Sequence, residues 1–271
     1  MCYYTGIKVS QNELIRLLDV ERQLQQMEVF KPVQNGFDYG TCVVIKPSAD
    51  CTWEFAEMEW GFLPPWLKNR EAVNNFRFAY KDASGKFRPG LTTLNATGEE
   101  LLAPGKMFRD AALNRTCLIL SSGFFEWRHV FPMGKKGVPL KTSVKYPYHI
   151  TVRDVPYFFM AGIWQSWSDK ETGETVDTCA IVTTKANPLM EMIHNSKKRM
   201  PVIFSEELAG EWLSDGVSEE RITELATHQY PAEAMHAYTI QKDFRSAADP
   251  CEAFEYAELN ALESAKGNLL F

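Results

Sequence analysis

Between Gly40 and Phe204 the sequence is a succession of short β-rich runs, each stopped by a turn-former. Gly40 to Glu59 reads as strands broken at Lys46-Pro47-Ser48. Thr116 to Ser121 and Phe124 to Trp127 flank a Ser-Ser-Gly turn. Tyr148 to Val152, Tyr157 to Trp164, Thr178 to Thr184 and Met200 to Phe204 continue the pattern. Trp60-Gly61-Phe62-Leu63-Pro64-Pro65-Trp66 cannot be a regular element, because its glycine and prolines break one, so a rigid aromatic loop is expected. Lys81 to Pro89 reads as a polar loop, and Lys135 to Lys145 as a basic hairpin tip. Helical signals lie mainly towards the two ends. Gln11 to Met27 spaces Leu14, Leu17, Leu18 and Leu24 as on one helix face, with Ser10 and Glu13 as a capping box. Pro188 to Ile193 gives one or two turns, Ser205 caps Glu206 to Leu213, and Glu219 to Ala226 is a further helix. This distribution predicts an α+β fold: a single domain over residues 1–271 with a central curled, mostly antiparallel β-sheet (a pseudo-barrel) flanked by helices. Residues 246–271 read as a loosely held acidic tail.

Composition removes several classes. The 271 residues are 45% hydrophobic, enough for a sizeable core. No run approaches the ~18 apolar residues of a membrane span, and no basic segment followed by an apolar one opens the chain. A cytoplasmic, monomeric protein without membrane contact is the expectation. Six cysteines are scattered without Cys-x-x-Cys pairing, which suits free thiols. No Cys/His cluster has zinc-ligand spacing, so neither metal nor cofactor is expected. A net charge of −6 argues against extensive phosphate binding while allowing a local basic groove.

The second residue is Cys2. With Met1 removed, it carries an α-amine and a thiol on adjacent carbons, a 1,2-aminothiol that no internal cysteine can supply. An aldehyde condenses with the amine to an imine, and the thiol closes a thiazolidine ring. An α-amine has a reference pKa of about 7.7–8.0, so part of it is neutral and nucleophilic near pH 7. Imine formation also needs a proton shuttle. Three segments offer polar groups: Leu94-Asn95-Ala96-Thr97-Gly98-Glu99, Gly123-Phe124-Phe125-Glu126-Trp127, and His194-Asn195-Ser196-Lys197-Lys198-Arg199-Met200-Pro201. Read alone, Asn95 is a turn residue, Glu126 a strand residue facing solvent, and His194 a helix cap.

With Cys2 at the front and in this order, the segments resemble the SOS-response-associated peptidase (SRAP) family of abasic-site processing proteins. That family opens Met-Cys-Gly-Arg and carries Asn-Ala-Arg-x-Glu, Gly-Phe-Tyr-Glu-Trp and His-x-Arg-Met-Pro. Trp60-Gly61 through Trp66, Phe108-Arg109, Ala161-Gly162-Ile163-Trp164 and Thr183-Thr184-Lys185-Ala186-Asn187 match as well, so the resemblance runs from residue 2 to about 204. It implies a partner, single-stranded DNA with an abasic site, and capture of the ring-opened aldehyde by Cys2 as a thiazolidine crosslink that protects the lesion during repair. The same resemblance implies roles for Asn95, Glu126 and His194 beside Cys2. Arg199 and Arg109 would pair with phosphate, while Trp60, Pro65 and Trp66 would wedge or stack against bases. It also implies nucleoid association on DNA, with self-removal of N-terminal residues and lyase chemistry as further family activities.

The chain departs from the family at Tyr3-Tyr4, which replace Gly-Arg, and at Thr97, which replaces an arginine. His194 and Arg199 are separated by two more residues than in the compact family form. Two other readings remain open at this point. One is a cysteine hydrolase with Cys2 as nucleophile and His194 as base; the other is a non-catalytic nucleic-acid binder.

Overall fold

The computed structural model describes residues 2–6, 31–48 and 53–259. The first half holds β1 (Tyr4–Gly6), β2 (Gln34–Asn35), β3 (Thr41–Pro47), β4 (Trp53–Trp60), α1 (Arg70–Arg77), β5 (Tyr80–Lys81), β6 (Phe87–Arg88), β7 (Asn95–Thr97) and α2 (Arg109–Asn114). The second half holds β8 (Thr116–Ser121), β9 (Gly123–Val130), β10 (Val144–Val152), β11 (Phe158–Ser168), β12 (Thr175–Lys185), α3 (Pro188–Ile193), β13 (Arg199–Pro201), β14 (Ile203–Phe204), α4 (Glu206–Trp212), α5 (Glu219–Ala226) and β15 (Met235–Thr239). The helix expected over Gln11 to Met27 lies outside the described residues.

The architecture is α+β. Strands β12, β4, β3, β8 and β11 pair in that order, and β11 pairs with β12 to close the ring. Closure leaves these five strands without an exposed edge. The ring is mostly antiparallel: β12 runs parallel only to β4 and to the short β7. A second sheet, ordered β15-β10-β9-β1-β2, lies against it.

Period-two alternation explains how the two layers meet. In β8, Leu118 and Leu120 belong to one apolar cluster with Trp212, Ile222 and Leu225 of the C-terminal helices. Cys117 and Ile119 belong to another with Phe124, Tyr148 and Ile150 of the second sheet. Strands covered on both faces read as continuous apolar runs, as Cys117-Leu118-Ile119-Leu120 does. The Ser-Ser-Gly segment is therefore no hairpin turn. It carries the chain from the barrel into the second sheet, where β9 pairs with β10 and β1. Ser122 N–H donates to the Gly6 carbonyl at 2.8 Å, tying this crossing to the end of β1.

Several elements differ from expectation. Lys81 to Pro89 is a small β5–β6 hairpin, paired Tyr80 to Arg88 and Lys81 to Phe87. Helices α1 and α2 and strand β15 form in stretches for which the sequence reading places no element. The first part of the anticipated tail is held to the body. Cys251 is buried, Phe254 N–H donates to the Thr239 carbonyl at 2.8 Å, and the Tyr256 hydroxyl donates to the Ile240 carbonyl at 2.8 Å. Residues 260–271 lie outside the described residues. Among the described residues, no helix is long and apolar enough to cross a membrane.

Candidate functional site

Cys2 leads directly into β1, a strand flanked by β2 on one side and β9 on the other. The register sets Thr5 opposite Phe124, which brings the chain's start alongside the Gly123 to Trp127 motif. Cys2 is fully buried, and its thiol donates to the Tyr4 carbonyl at 3.4 Å. Burial, followed by the negative charge of Glu126, holds this thiol far above its ordinary range. It stays protonated at neutral pH.

Glu126 stands opposite Tyr148 of β10 and is 4% exposed. Burial disfavours the carboxylate and pushes its pKa up to about 8. Glu126 thus points inward and not, as it reads from the sequence alone, to solvent. His194 ends α3, whose start is set by Pro188 and by the Asn187 side chain accepting from Met190 N–H at 2.9 Å. The His194 ring is 6% exposed, and burial lowers its pKa to about 4. Nδ1 lies 2.8 Å from the Arg199 carbonyl, which can only accept, so Nδ1 carries the proton and Nε2 presents a lone pair. Nδ1 also lies 3.7 Å from Glu126 Oε1. The opposed pKa shifts make this a neutral carboxyl beside a neutral imidazole at pH 7, rather than an ion pair. The two extra residues before Arg199 are absorbed in a turn: Lys198 adopts φ 51°, and its N–H donates to the His194 carbonyl at 2.7 Å.

Asn95 opens β7, opposite Ile181 of β12. Its side-chain Oδ1 and Nδ2 are both buried, with no hydrogen-bond partner among the described residues. A buried unpaired amide costs about 1–3 kcal/mol, so Asn95 holds donors and an acceptor that the described residues do not use. Leu94, just before it, packs in the same apolar cluster as Cys2. Gly98, three residues on, can be only glycine: a Cβ there would sit 1.8 Å from the Ala226 carbonyl oxygen.

The structure therefore gathers Cys2, Glu126 and His194. Glu126 and His194 open onto a surface depression also lined by Tyr3, Trp127, His129, Lys145 and Lys197. Asn95 lines a second depression with Trp66, Thr97, Lys106 and Phe108. The residues expected to hold DNA divide. Pro65 and Trp66 are exposed, Trp66 by 57%. Trp60 is core, 1% exposed, with Nε1–H donating to the Leu94 carbonyl at 3.0 Å, so it cannot stack on a base. Arg199 is clamped by both oxygens of Glu99 at 2.8 and 2.7 Å. Arg109 bonds Glu219 at 2.6 Å and the Leu102 carbonyl. Tyr4, in place of a family arginine, packs edge-on against Trp127 with ring centroids 5.1 Å apart. Tyr3 stacks beside Phe37 at 4.7 Å and reaches the Glu126 depression. Lys145 ends the run read from the sequence as a basic hairpin tip, whereas nothing in the sequence singles out His129.

A model of the SOS response associated peptidase (SRAP) family matches residues 1–247. The chain is 29% identical to the abasic site processing protein YoqW of Bacillus subtilis over 184 residues, 68% of each chain. It is 25% identical to the abasic site processing protein HMCES of Gallus gallus, over 79% of this chain and 62% of that relative. A crystal structure of a Bacteroides thetaiotaomicron protein superposes with TM-score 0.71 at 29% identity, covering 93% of this chain and 97% of the other.

Proposed function

The chain belongs to the SOS response associated peptidase (SRAP) family, and from that premise we propose that it captures abasic sites in single-stranded DNA through Cys2. The observation that carries this reading is the buried Glu126–His194 pair beside the Cys2 thiol, neutral at pH 7 and open to a surface depression. Its relatives named for abasic-site processing supply the substrate class.

The steps follow from the groups present. Once Met1 is removed, the neutral Cys2 amine adds to the aldehyde carbon of the ring-opened sugar and gives a carbinolamine. Protonated Glu126 donates to the departing hydroxyl, which leaves as water, and an imine remains. The Cys2 sulfur then adds to the imine carbon while its proton passes to nitrogen, closing the thiazolidine. One aldehyde and one aminothiol yield one ring and one water. The His194 Nε2 lone pair accepts and returns protons, its ring fixed by the Nδ1–H bond to the Arg199 carbonyl. Asn95, with both amide atoms unpaired among the described residues, orients the sugar hydroxyls or the amine.

Raised as it is, the thiol is poorly suited to attack as a free thiolate, which weakens the hydrolase reading, whereas ring closure hands the thiol proton to the imine nitrogen as sulfur adds. The test is intact mass before and after mixing with abasic single-stranded DNA. The expected product is the sum of both masses less one water, formed only by chain that has lost Met1. DNA whose aldehyde has been reduced to an alcohol should give none. If Cys2→Ala crosslinks as well as wild type, the reading fails.

A further inference from the structure

With Arg199 and Arg109 engaged by carboxylates, the cationic surface around the site lies elsewhere. From Trp127 to Arg153 there is no Asp or Glu, while Arg128, Lys135, Lys136, Lys141, Lys145 and Arg153 fall within that stretch of a chain whose net charge is −6. Most of it is the β9–β10 hairpin, in which Val130 pairs with Val144. Beyond that pair the tip is built, not loose: Leu140 N–H donates to the Pro132 carbonyl at 2.8 Å, and Gly134 N–H to the Val138 carbonyl at 2.8 Å. Phe131, Met133, Val138 and Leu140 stand 49–65% exposed on it, among the lysines.

What sets the hairpin apart is the absence of any Asp or Glu among its lysines, since several lysines elsewhere, such as Lys68, Lys81 and Lys170, likewise form no ion pair with a described residue. Arg70, Arg77, Arg88, Arg109, Arg115, Arg199 and Arg221 each hold a carboxylate. Lys135, Lys136, Lys141, Lys145 and Lys197 form no ion pair with a described residue. Lys145 and Lys197 line the Glu126–His194 depression, so the unpaired charge begins at the site and runs out along the hairpin. The Asn195 side chain accepts from His129 N–H at 3.0 Å and donates to the His129 carbonyl at 2.8 Å, which locks the Lys197 loop to the hairpin's base.

We infer that the β9–β10 hairpin is a track for the single-stranded DNA flanking the lesion. Lys135, Lys136 and Lys141 take backbone phosphates, and Phe131 takes a base on its ring. A polyanion carrying stackable bases matches both halves of this surface, the lysines and the exposed apolar side chains between them. A purely acidic polypeptide such as polyglutamate would match the charge alone. The inference rests on the abasic-site reading for its ligand.

The test uses the full chain and a 20-nucleotide single strand with a central tetrahydrofuran, an abasic analogue that cannot react. For K135Q/K136Q/K141Q the expected result is a Kd raised on the order of tenfold, with the slope of log K against log salt reduced by about 2. Phe131→Ala should weaken binding about fivefold or more with the slope kept. Reversible affinity and slope equal to wild type in both variants overturn the hairpin track. So does competition by polyglutamate as effective as that by DNA of equal charge. Covalent capture of a true abasic strand is scored in parallel. If wild type makes no adduct, the capture reading has failed; if it does and the tip variants bind like wild type, only the track has failed.

Discussion

One buried group at the site is held, at neutral pH, in a protonation state that water would not give it. Glu126, raised from 4.5 to about 8, favours the folded chain fully below pH 4.5 and loses that contribution as pH rises through 8. Glu126→Gln stays neutral throughout, so its stability relative to wild type should grow between those values, measured by denaturant unfolding at a series of pH values. In the proposed capture, the same proton is the one donated in imine formation. The initial rate of adduct formation should fall above pH 8, and Glu126→Gln should be 10²–10⁴-fold slower and lack that limb. Asn95 makes the converse case. Removing an unpaired buried amide should leave the unfolding free energy of Asn95→Ala unchanged or higher while adduct formation slows. A marked loss of stability would show that the amide has a partner in the free protein.

Among the elements, the Glu99–Arg199 clamp fastens the segment after β7 to β13, and Arg199 also donates to the Thr183 carbonyl at 2.5 Å. Arg199→Gln should cost about 2 kcal/mol in denaturant unfolding while leaving the salt slope of DNA binding as in wild type. A slope reduced by about 1 would restore Arg199 to phosphate contact. The sequence disclosed the elements whose signals are local. Pro188 to Ile193, Ser205 and the run at Glu219 announce α3, α4 and α5, because their signals lie within one or two turns of chain. Helix α1 escaped notice, since Arg-Glu-Ala-Val-Asn-Asn-Phe-Arg offers only Val73 and Phe76 as large apolar residues. Its start is fixed by the Asn69 cap and by Asp169 accepting from Arg70 N–H at 2.8 Å. Strands β8 and β9 were legible, but their membership of different sheets was not, because β1 and β3 decide it from far away in the chain. The site divides in the same way. Cys2, Glu126 and His194 stand in short motifs, whereas the engagement of Arg109 and Arg199 depends on Glu219 and Glu99, about a hundred residues distant.

Across the whole molecule, Tyr4 near the start of the chain and residues 244–251 towards its end close over the second sheet. Phe244 stacks on Phe125 with centroids 4.9 Å apart, and Tyr4 and Trp127 pack beside it. Cys251 completes this cluster. A chain ending at Pro250 should therefore melt at a lower temperature by calorimetry; an unchanged midpoint would mean that residues 251–271 add nothing to the core. The placement of Cys2 has a mechanical side. β1 is hydrogen-bonded on both flanks, to Asn35 and Gln34 of β2 and to Phe124 and Gly123 of β9. In the proposed adduct, a lesion joined to Cys2 would be anchored in the fabric of a sheet and not to a dangling end. A motor pulling on such a strand would load both rows of backbone bonds together, in shear, before the anchor gave way.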